Sequence, residues 1–200
     1  MKLIDFLNTK YYRQLERLSS SFDTYNTSSS LSKTLDLLSK LFYRDFLLIG
    51  GLSRSLHASP RMTYDVDLLF RREADLKAIR IELGDLAKTI PGRNHAVKIN
   101  GVEVEILTPE FLGIPEEIAS YVFGSKEQIG NGLYTASPTG LILLKLCRAS
   151  NQDIEDILAV MKAKPQEINT SVLKLLAPDV KLVDKLIAQN KIFFNDIERV

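Results

Sequence analysis

The stretch LLIGGLSRSLHASPRMTYDVDLLF, residues 47–70, contains the elements around which the chain is organised. The apolar run 46–49 has the length of a buried strand, and two glycines end it. The alternating pattern of residues 63–70 predicts a second strand. Because alternate residues of a strand point to the same face, we expect the carboxylates of Asp65 and Asp67 to lie side by side.

Length and composition bound the class of protein. The 200 residues fit one compact domain, or a small domain with a helical appendage. A net charge of +1 argues against a surface coated in positive charge for general nucleic-acid binding. Cys147 is the sole cysteine, which excludes an internal disulfide and a cysteine metal cluster. No apolar run is long enough to span a membrane and no signal peptide is recognisable, so we expect a cytoplasmic protein without a membrane partner.

The periodicity of the remaining chain predicts mostly helices. They are expected over residues 3–18, 31–42, 52–56, 74–89, 109–121, 141–148, 153–161, 165–176 and 179–197. Ser30, at the end of a predicted loop over 19–30, is the expected N-cap of the second helix. Ser137, followed by a proline, is the expected N-cap of the helix over 141–148. Pro91-Gly92 is expected to end the helix over 74–89.

Two further strand signals complete an α+β pattern. Asn100-Gly101 between two alternating runs predicts a hairpin over residues 95–107. A short strand is expected over 133–136. The chain therefore divides into an α+β part, residues 1–136 with N-terminal helices, and a helical part, residues 137–200.

Asp65 and Asp67 are candidate metal ligands. Carboxylates on alternate residues of a strand lie about 6.5–7 Å apart along it, and hard oxygen ligands suit Mg²⁺. Two such groups can hold a pair of divalent ions. The alternative interpretation is an exposed strand face, where a D-x-D alternation is common.

Gly50-Gly51-Leu52-Ser53 is a candidate phosphate site. Glycines at a strand-to-helix junction let backbone N–H groups approach a phosphate, and the helix N-terminus adds positive partial charge. The Ser53 hydroxyl can donate to a phosphate oxygen. The alternative is a tight turn that Ser53 caps.

Together these features resemble the polymerase-β-type nucleotidyltransferase superfamily, in particular its minimal bacterial branch. The resemblance covers some 25 residues, including His57 and the spacing Arg61-x-Thr63-x-Asp65-x-Asp67. It implies a nucleotidyltransferase fold, a small mixed β-sheet flanked by helices and followed by a helical C-terminal part. His57 and Arg61 would hold the turn or line the nucleotide pocket.

That superfamily uses a third carboxylate on a later strand. Glu105 matches its position here, although the family residue is most often aspartate. Glu103 lies on the same predicted strand face and is a second candidate. The alternative is that both are exposed strand glutamates.

The segment SPTGLILLKLCRASNQDIEDILAVM, residues 137–161, resembles the helical region of the AbiEii-like nucleotidyltransferase toxins. The resemblance implies that Lys145 and Asp153 complete the site. Lys145 could instead extend to solvent, because burying an ammonium group without a partner is costly. Ser150-x-x-Asp153 could instead be a capping box.

The resemblance implies transfer of a nucleoside monophosphate from an NTP to a hydroxyl of a tRNA end or a protein, by a toxin with an antitoxin partner. Two Mg²⁺ ions would be held by Asp65, Asp67 and Glu105. Lys145 would neutralise the negative charge of the pyrophosphate. The nucleotide would be bound by Gly50, Gly51, Ser53, Arg61 and Asp153. One alternative is a catalytically weak or inactive protein of the same fold, with a nucleotide-binding or antitoxin-like regulatory role. The other is a nucleotidyltransferase that acts on a small molecule such as an antibiotic.

Overall fold

The computed structural model describes residues 27–40, 45–59, 63, 65–73, 78, 81–130 and 132–191. The strands are β1 (Phe46–Ile49), β2 (Asp65–Phe70), β3 (Ala87–Ile90), β4 (Arg93–Ile99), β5 (Val102–Leu107), β6 (Glu127–Gly130) and β7 (Leu133–Thr135). The α-helices are α1 (Thr27–Ser39), α2 (Gly50–His57), α3 (Pro109–Leu112), α4 (Glu116–Gly124), α5 (Pro138–Arg148), α6 (Asn151–Ala163), α7 (Thr170–Leu176) and α8 (Val180–Gln189). Short 3₁₀ turns occur at Gly84–Leu86 and Pro165–Glu167.

The described strands form one mixed sheet in the order β3-β4-β5-β2-β1-β7-β6. β1 is antiparallel to β2 and parallel to β7, whereas β2 is parallel to β5. Antiparallel pairs join β3 to β4, β4 to β5 and β6 to β7. The predicted α+β class, with a small mixed sheet flanked by helices, is therefore confirmed.

Helices cover both faces of the sheet, which explains the uninterrupted apolar run of β1. Leu48 and Leu68 share one core with the apolar side chains of α1 and α2. Leu47 and Leu69 point the other way and share a second core with α4, α5, α6, α7 and α8. A strand covered on both faces must be apolar at every position, and all four residues of β1 are buried.

The hairpin between β4 and β5 fixes the register of these two strands. Asn100 and Gly101 both have positive φ, +51° and +88°, as a two-residue type I′ turn requires. The turn places Ile99 opposite Val102 and Ala96 opposite Glu105. The Asn100-Gly101 prediction is confirmed, and the hairpin turns the glutamates of β5 to the side away from Val102.

Two predicted helix starts are also confirmed. The Ser137 side chain accepts a hydrogen bond from the Gly140 N–H, with a proline in the first turn of α5. At α6, Ser150 and Asp153 form the complete reciprocal capping box. These caps use backbone N–H groups that otherwise have no partner at a helix N-terminus.

The helix predicted over 74–89 is wrong at its end. Ala87–Ile90 forms β3, and Pro91-Gly92 joins it to β4 as the turn of a second hairpin. A turn dipeptide can end a helix or join two strands. Here it joins two strands, because residues 87–90 pair with β4. Residues 74–77, 79 and 80 of this prediction lie outside the described residues.

Other boundaries differ from the predictions. Ser30 is not an N-cap, because α1 begins at Thr27 and the Ser30 carbonyl accepts the Thr34 hydroxyl within the helix. The helix predicted over 109–121 is two helices, α3 and α4, separated where Gly113 adopts the left-handed conformation. The helix predicted over 165–176 begins as a 3₁₀ turn, and β6 was not predicted.

Several predictions concern residues outside the described part of the chain, namely the helix over 3–18, most of the loop over 19–30 and the last residues of the helix over 179–197. The division at residues 136 and 137 stays a prediction. It falls between β7 and α5, but α5 to α8 share their core with the sheet. Within the described residues, none of the helices has both the length and the apolar character required to cross a membrane.

Replacing Ile142 with alanine tests the second core. Ile142 is fully buried on α5, so we expect the free energy of unfolding to fall by about 2–5 kcal/mol, as the side chain is lost and a cavity remains. The matched control is Ile81→Ala, because Ile81 is 82% exposed and the same change there should cost less than about 0.5 kcal/mol. Urea unfolding measures both values, and equal losses would contradict the described core.

Candidate active site

Three carboxylates meet where β2 pairs with β5. The parallel register places Asp67 opposite Glu105 and Asp65 opposite Glu103. One carboxylate oxygen from each of Asp65, Asp67 and Glu105 lies within 4.8 Å of the other two. We call these three residues the acidic triad. Among the described residues, Glu103 is not part of that group, so the geometry favours Glu105 as the third carboxylate.

The first turn of α2 lies directly against the acidic triad. Gly50 has φ +62°, and a Cβ atom at this position would lie 1.7 Å from Oδ2 of Asp67. The adjacent Gly51 N–H donates a hydrogen bond to the Asp67 carboxylate. Only glycine permits both the backbone conformation and this close approach. The Gly-Gly pair therefore brings a helix N-terminus into contact with a carboxylate of the sheet.

The environment of Asp67 disfavours its ionised form. Burial raises its pKa to about 7, and the charges of Asp65 and Glu105 act in the same direction. The Gly51 N–H opposes this shift, because it stabilises the carboxylate. The acidic triad is therefore short of positive charge, since its carboxylates repel one another and one of them retains a proton near neutral pH.

Arg93, which the sequence did not single out, partly compensates this charge. Its guanidinium group donates to both Glu103 and Glu105. Arg93 begins β4, three residues before Ala96, which pairs with Glu105. The predicted hairpin brings the start of β4 near these glutamates, but it did not indicate which side chain would reach them.

A cavity of about 590 Å³ connects the acidic triad to the helical part of the chain. Six of the predicted site residues line it: Gly50, Gly51, Asp65, Asp67, Lys145 and Asp153. Arg148 and the single cysteine, Cys147, also line it. The rest of the wall consists of Thr63 and the apolar residues Ile49, Leu107, Leu112, Ile114, Leu141 and Leu144.

Lys145 belongs to a group of charges that we call the ion cluster, in which Arg148 is exposed and the other members are buried: Arg54, Lys145, Arg148, Asp153 and Asp156. The Lys145 Nζ atom lies 3.3 Å from Asp153 Oδ1 and 2.7 Å from Asp156 Oδ2. Asp156 also pairs with Arg54 on α2, at 3.2 Å. The Lys145 side chain is 7% exposed, so the alternative that it extends to solvent is wrong.

Asp153 is held from several directions. Arg148 donates to both of its carboxylate oxygens, and the Ser150 hydroxyl donates to Oδ2 at 2.6 Å. Although burial opposes ionisation, the hydrogen bonds from Arg148 and Ser150 keep the pKa of Asp153 well below its usual range. Asp153 therefore caps α6 and also lines the cavity.

Ser53 and His57, the other described residues singled out in the stretch 47–70, do not line the cavity. The Ser53 hydroxyl is fully buried, is hydrogen-bonded to the Thr135 hydroxyl at 2.7 Å and does not line the cavity, so its phosphate contact stays a prediction. The His57 Nε2 donates to the Ala136 carbonyl at 2.7 Å, which ties α2 to the end of β7. Burial lowers the His57 pKa. Arg61 lies outside the described residues.

No protein-family model matches the chain, and no curated protein matches it. Among solved structures, the crystal structure of ANT(2″)-Ia in complex with adenylyl-2″-tobramycin is 17% identical, with a TM-score of 0.46 over 83% of this chain and 98% of that one. The solution structure of the antibiotic-resistance factor ANT(2″)-Ia is also 17% identical, with a TM-score of 0.46 over 87% of this chain and 97% of that one.

The crystal structure of an antigenic nucleotidyltransferase-like protein from Paracoccidioides brasiliensis is 18% identical, with a TM-score of 0.44 over 93% of this chain and 94% of that one. All three similarities are too weak to transfer an activity, a substrate or a partner to this chain.

The acidic triad fits a divalent cation. Its donors are carboxylate oxygens close enough to share one ligand, and oxygen donors are those that Mg²⁺ prefers. Burial raises the pKa of Asp67 most, and repulsion by Asp65 and Glu105 adds to the rise. A bound cation would relieve that repulsion. The donor set and the charge of the site therefore both suit Mg²⁺.

The pKa of Asp67 predicts a pH-dependent stability that Mg²⁺ modifies. A carboxyl pKa that is higher in the folded than in the unfolded state stabilises the protein at low pH, and this contribution is lost as pH rises towards about 7. We therefore expect the metal-free protein to lose stability relative to Asp67→Asn between about pH 4 and pH 7. Mg²⁺ should raise the melting temperature of the wild type more at pH 8 than at pH 5. A wild-type curve parallel to that of Asp67→Asn, with no effect of Mg²⁺, would contradict this assignment.

Proposed function

We propose that this chain is a metal-dependent nucleotidyltransferase that moves a nucleoside monophosphate from an NTP to a hydroxyl acceptor. The observation that carries the proposal is the acidic triad beside the glycine N-terminus of α2, at a cavity that also contains Lys145 and Arg148. A Mg²⁺–triphosphate is a substrate that needs carboxylates for its metal and cations for its phosphates. The residues that carry the sequence resemblance support the same reaction.

The residues around the cavity have separate parts in this proposal. Asp65, Asp67 and Glu105 hold Mg²⁺, which supplies positive charge to the triphosphate when bound. The backbone of Gly50 and Gly51 faces the same space, where it can approach a phosphate group. Catalysis would consist mainly of positioning and charge stabilisation, as is usual in phosphoryl transfer.

Lys145 and Asp153 act from the opposite wall. Lys145 has two of its three N–H groups directed to aspartates, so its contribution to the pyrophosphate is positive charge and at most one hydrogen bond. Asp153 keeps the neighbouring cations in place through its hydrogen bonds.

The acceptor is proposed from the resemblance alone. A tRNA end or a protein hydroxyl comes first, with a toxin-antitoxin pair as the biological setting, and an antibiotic hydroxyl is the small-molecule alternative. The apolar part of the cavity wall, which includes Leu112, Ile114 and Leu144, is the surface available to the acceptor or to the nucleobase.

One observation favours a second candidate function, a nucleotide-binding regulatory protein without transferase activity. The Arg93 guanidinium forms an ion pair with the Glu105 carboxylate. A cation at this position competes with Mg²⁺ for the same ligand. In that case the site would bind a nucleotide without transferring any part of it.

Replacing Asp67 with asparagine tests the proposed reaction. Asparagine has nearly the same shape as aspartate but lacks its negative charge, so we expect Asp67→Asn to fold. Because a metal ligand is lost, we expect Mg²⁺-dependent pyrophosphate release to fall about 100-fold or more. The matched control is Asp184→Asn, because Asp184 is 55% exposed and pairs with Lys174 on the surface. Pyrophosphate release is measured directly with each NTP, and transfer of the label from each α-labelled NTP to bulk tRNA or cell lysate is followed in parallel. An unchanged rate in Asp67→Asn would contradict the proposal.

Alkylation of Cys147 in the same samples separates the two candidate functions. Cys147 is the only cysteine of the chain and lines the cavity, so a bound nucleotide should slow its modification. Protection by Mg²⁺–NTP together with label transfer supports the transferase. Protection without transfer to any acceptor supports the regulatory protein.

A further inference from the structure

Two cations of α5, Lys145 and Arg148, line the cavity, and their hydrogen-bonding capacity differs. The ammonium of Lys145 donates to Asp153 and Asp156, and its side chain is only 7% exposed. One N–H group remains for a ligand. The Arg148 side chain is 72% exposed, and within the described part of the chain only its Nε and Nη2 atoms donate hydrogen bonds.

The guanidinium of Arg148 is fixed along one of its edges. Nε donates to Asp153 Oδ2 at 2.6 Å, and Nη2 donates to Asp153 Oδ1 at 2.7 Å. A guanidinium has five N–H groups in one plane, so both N–H groups of Nη1 and one of Nη2 remain. One N–H of Nη1 and the remaining N–H of Nη2 are parallel and form the second edge of the fork, which matches two oxygens of a phosphate.

Asp153 can orient this arginine because it is itself immobilised. Its side chain is 1% exposed, lies 3.3 Å from the Lys145 ammonium and accepts hydrogen bonds from the backbone N–H and the hydroxyl of Ser150. The capping box thus attaches the carboxylate to the first turn of α6. An arginine held by such a group loses less conformational entropy when it binds a ligand than a free surface arginine does.

The charges of the two cavity walls are complementary to a metal–triphosphate. The ion cluster has three cations, Arg54, Lys145 and Arg148, and two carboxylates, so it carries a net charge of +1. The acidic triad on the other side consists of three carboxylates. Arg148 lines the same cavity as Asp65 and Asp67, so its guanidinium and the triad face one space.

We propose that Arg148 binds the β- and γ-phosphates of the NTP through the free edge of its guanidinium, while Asp153 positions it through the other edge. This inference rests on the proposed nucleotidyltransferase function and deepens it. It assigns the direct phosphate contact to Arg148, whereas Lys145 mainly stabilises the two aspartates.

Calorimetric titration of Arg148→Gln with Mg²⁺–NTP, Mg²⁺–tripolyphosphate and NMP tests this inference. Hydrogen bonds to charged groups contribute about 1.5–3 kcal/mol, so we expect affinity for the NTP and tripolyphosphate to fall about 10- to 100-fold. NMP lacks the β- and γ-phosphates, and its affinity should change less than about twofold. The affinities of Arg148→Lys for the NTP and tripolyphosphate should lie between those of the wild type and Arg148→Gln. A lysine retains the positive charge but cannot bind Asp153 and a phosphate through two separate edges.

The matched control is Lys181→Gln, which removes the same charge from an exposed position of α8 outside the cavity lining and should leave all three affinities unchanged. If Arg148 has only a structural role, Arg148→Gln should bind NMP and NTP with equally reduced affinity, and that result would overturn the inference. Equal NTP affinity in Arg148→Gln and the wild type would also overturn it, as would a wild type that binds no tripolyphosphate. If the wild type binds tripolyphosphate through Arg148 but transfers no nucleotide, the proposed reaction fails and the phosphate site stands.

Discussion

The close approach of the Gly50 backbone to the Asp67 carboxylate is the constraint on which the rest of the site depends. A side chain at position 50 would occupy the place of Oδ2, and the positive φ of Gly50 turns the chain directly from β1 into α2. The N-terminus of α2 thereby lies beside the strand that carries the acidic triad. The helix N–H groups offset part of the repulsion among the carboxylates, and the remainder makes the site receptive to a cation.

The ion cluster connects this centre to the C-terminal helices. Arg54 lies on α2, Lys145 on α5 and Asp156 on α6, so one buried set of ion pairs joins the glycine-started helix to the opposite wall of the cavity. Buried ion pairs add little net stability, but removing one partner leaves a buried charge that is costly. We infer that this cluster fixes the relative positions of the two walls more than it stabilises the fold.

The parts of the site that arise from local chemistry could be predicted from the sequence. The D-x-D alternation predicts that Asp65 and Asp67 share one strand face, and Asn100-Gly101 predicts the hairpin whose second strand carries Glu105. Contacts between distant segments could not be predicted, because no local pattern encodes them. The parallel pairing of β2 with β5, which places Glu105 opposite Asp67, is such a contact. The pairing of β3 with β4 is local, but Pro91-Gly92 is compatible with a helix end as well as with a turn between two strands.

Binding of Mn²⁺, followed by electron paramagnetic resonance, tests the central claim that the Gly50–Asp67 approach builds a metal site. The comparison is between the wild type, Gly50→Ala and Gly124→Ala. An added Cβ at Gly124 meets no atom within 4 Å, and its φ lies outside the left-handed region. We expect the wild type and Gly124→Ala to bind Mn²⁺ equally, and Gly50→Ala to bind it at least about tenfold more weakly because its Cβ displaces a ligand. Unchanged Mn²⁺ affinity in a folded Gly50→Ala protein would contradict the account.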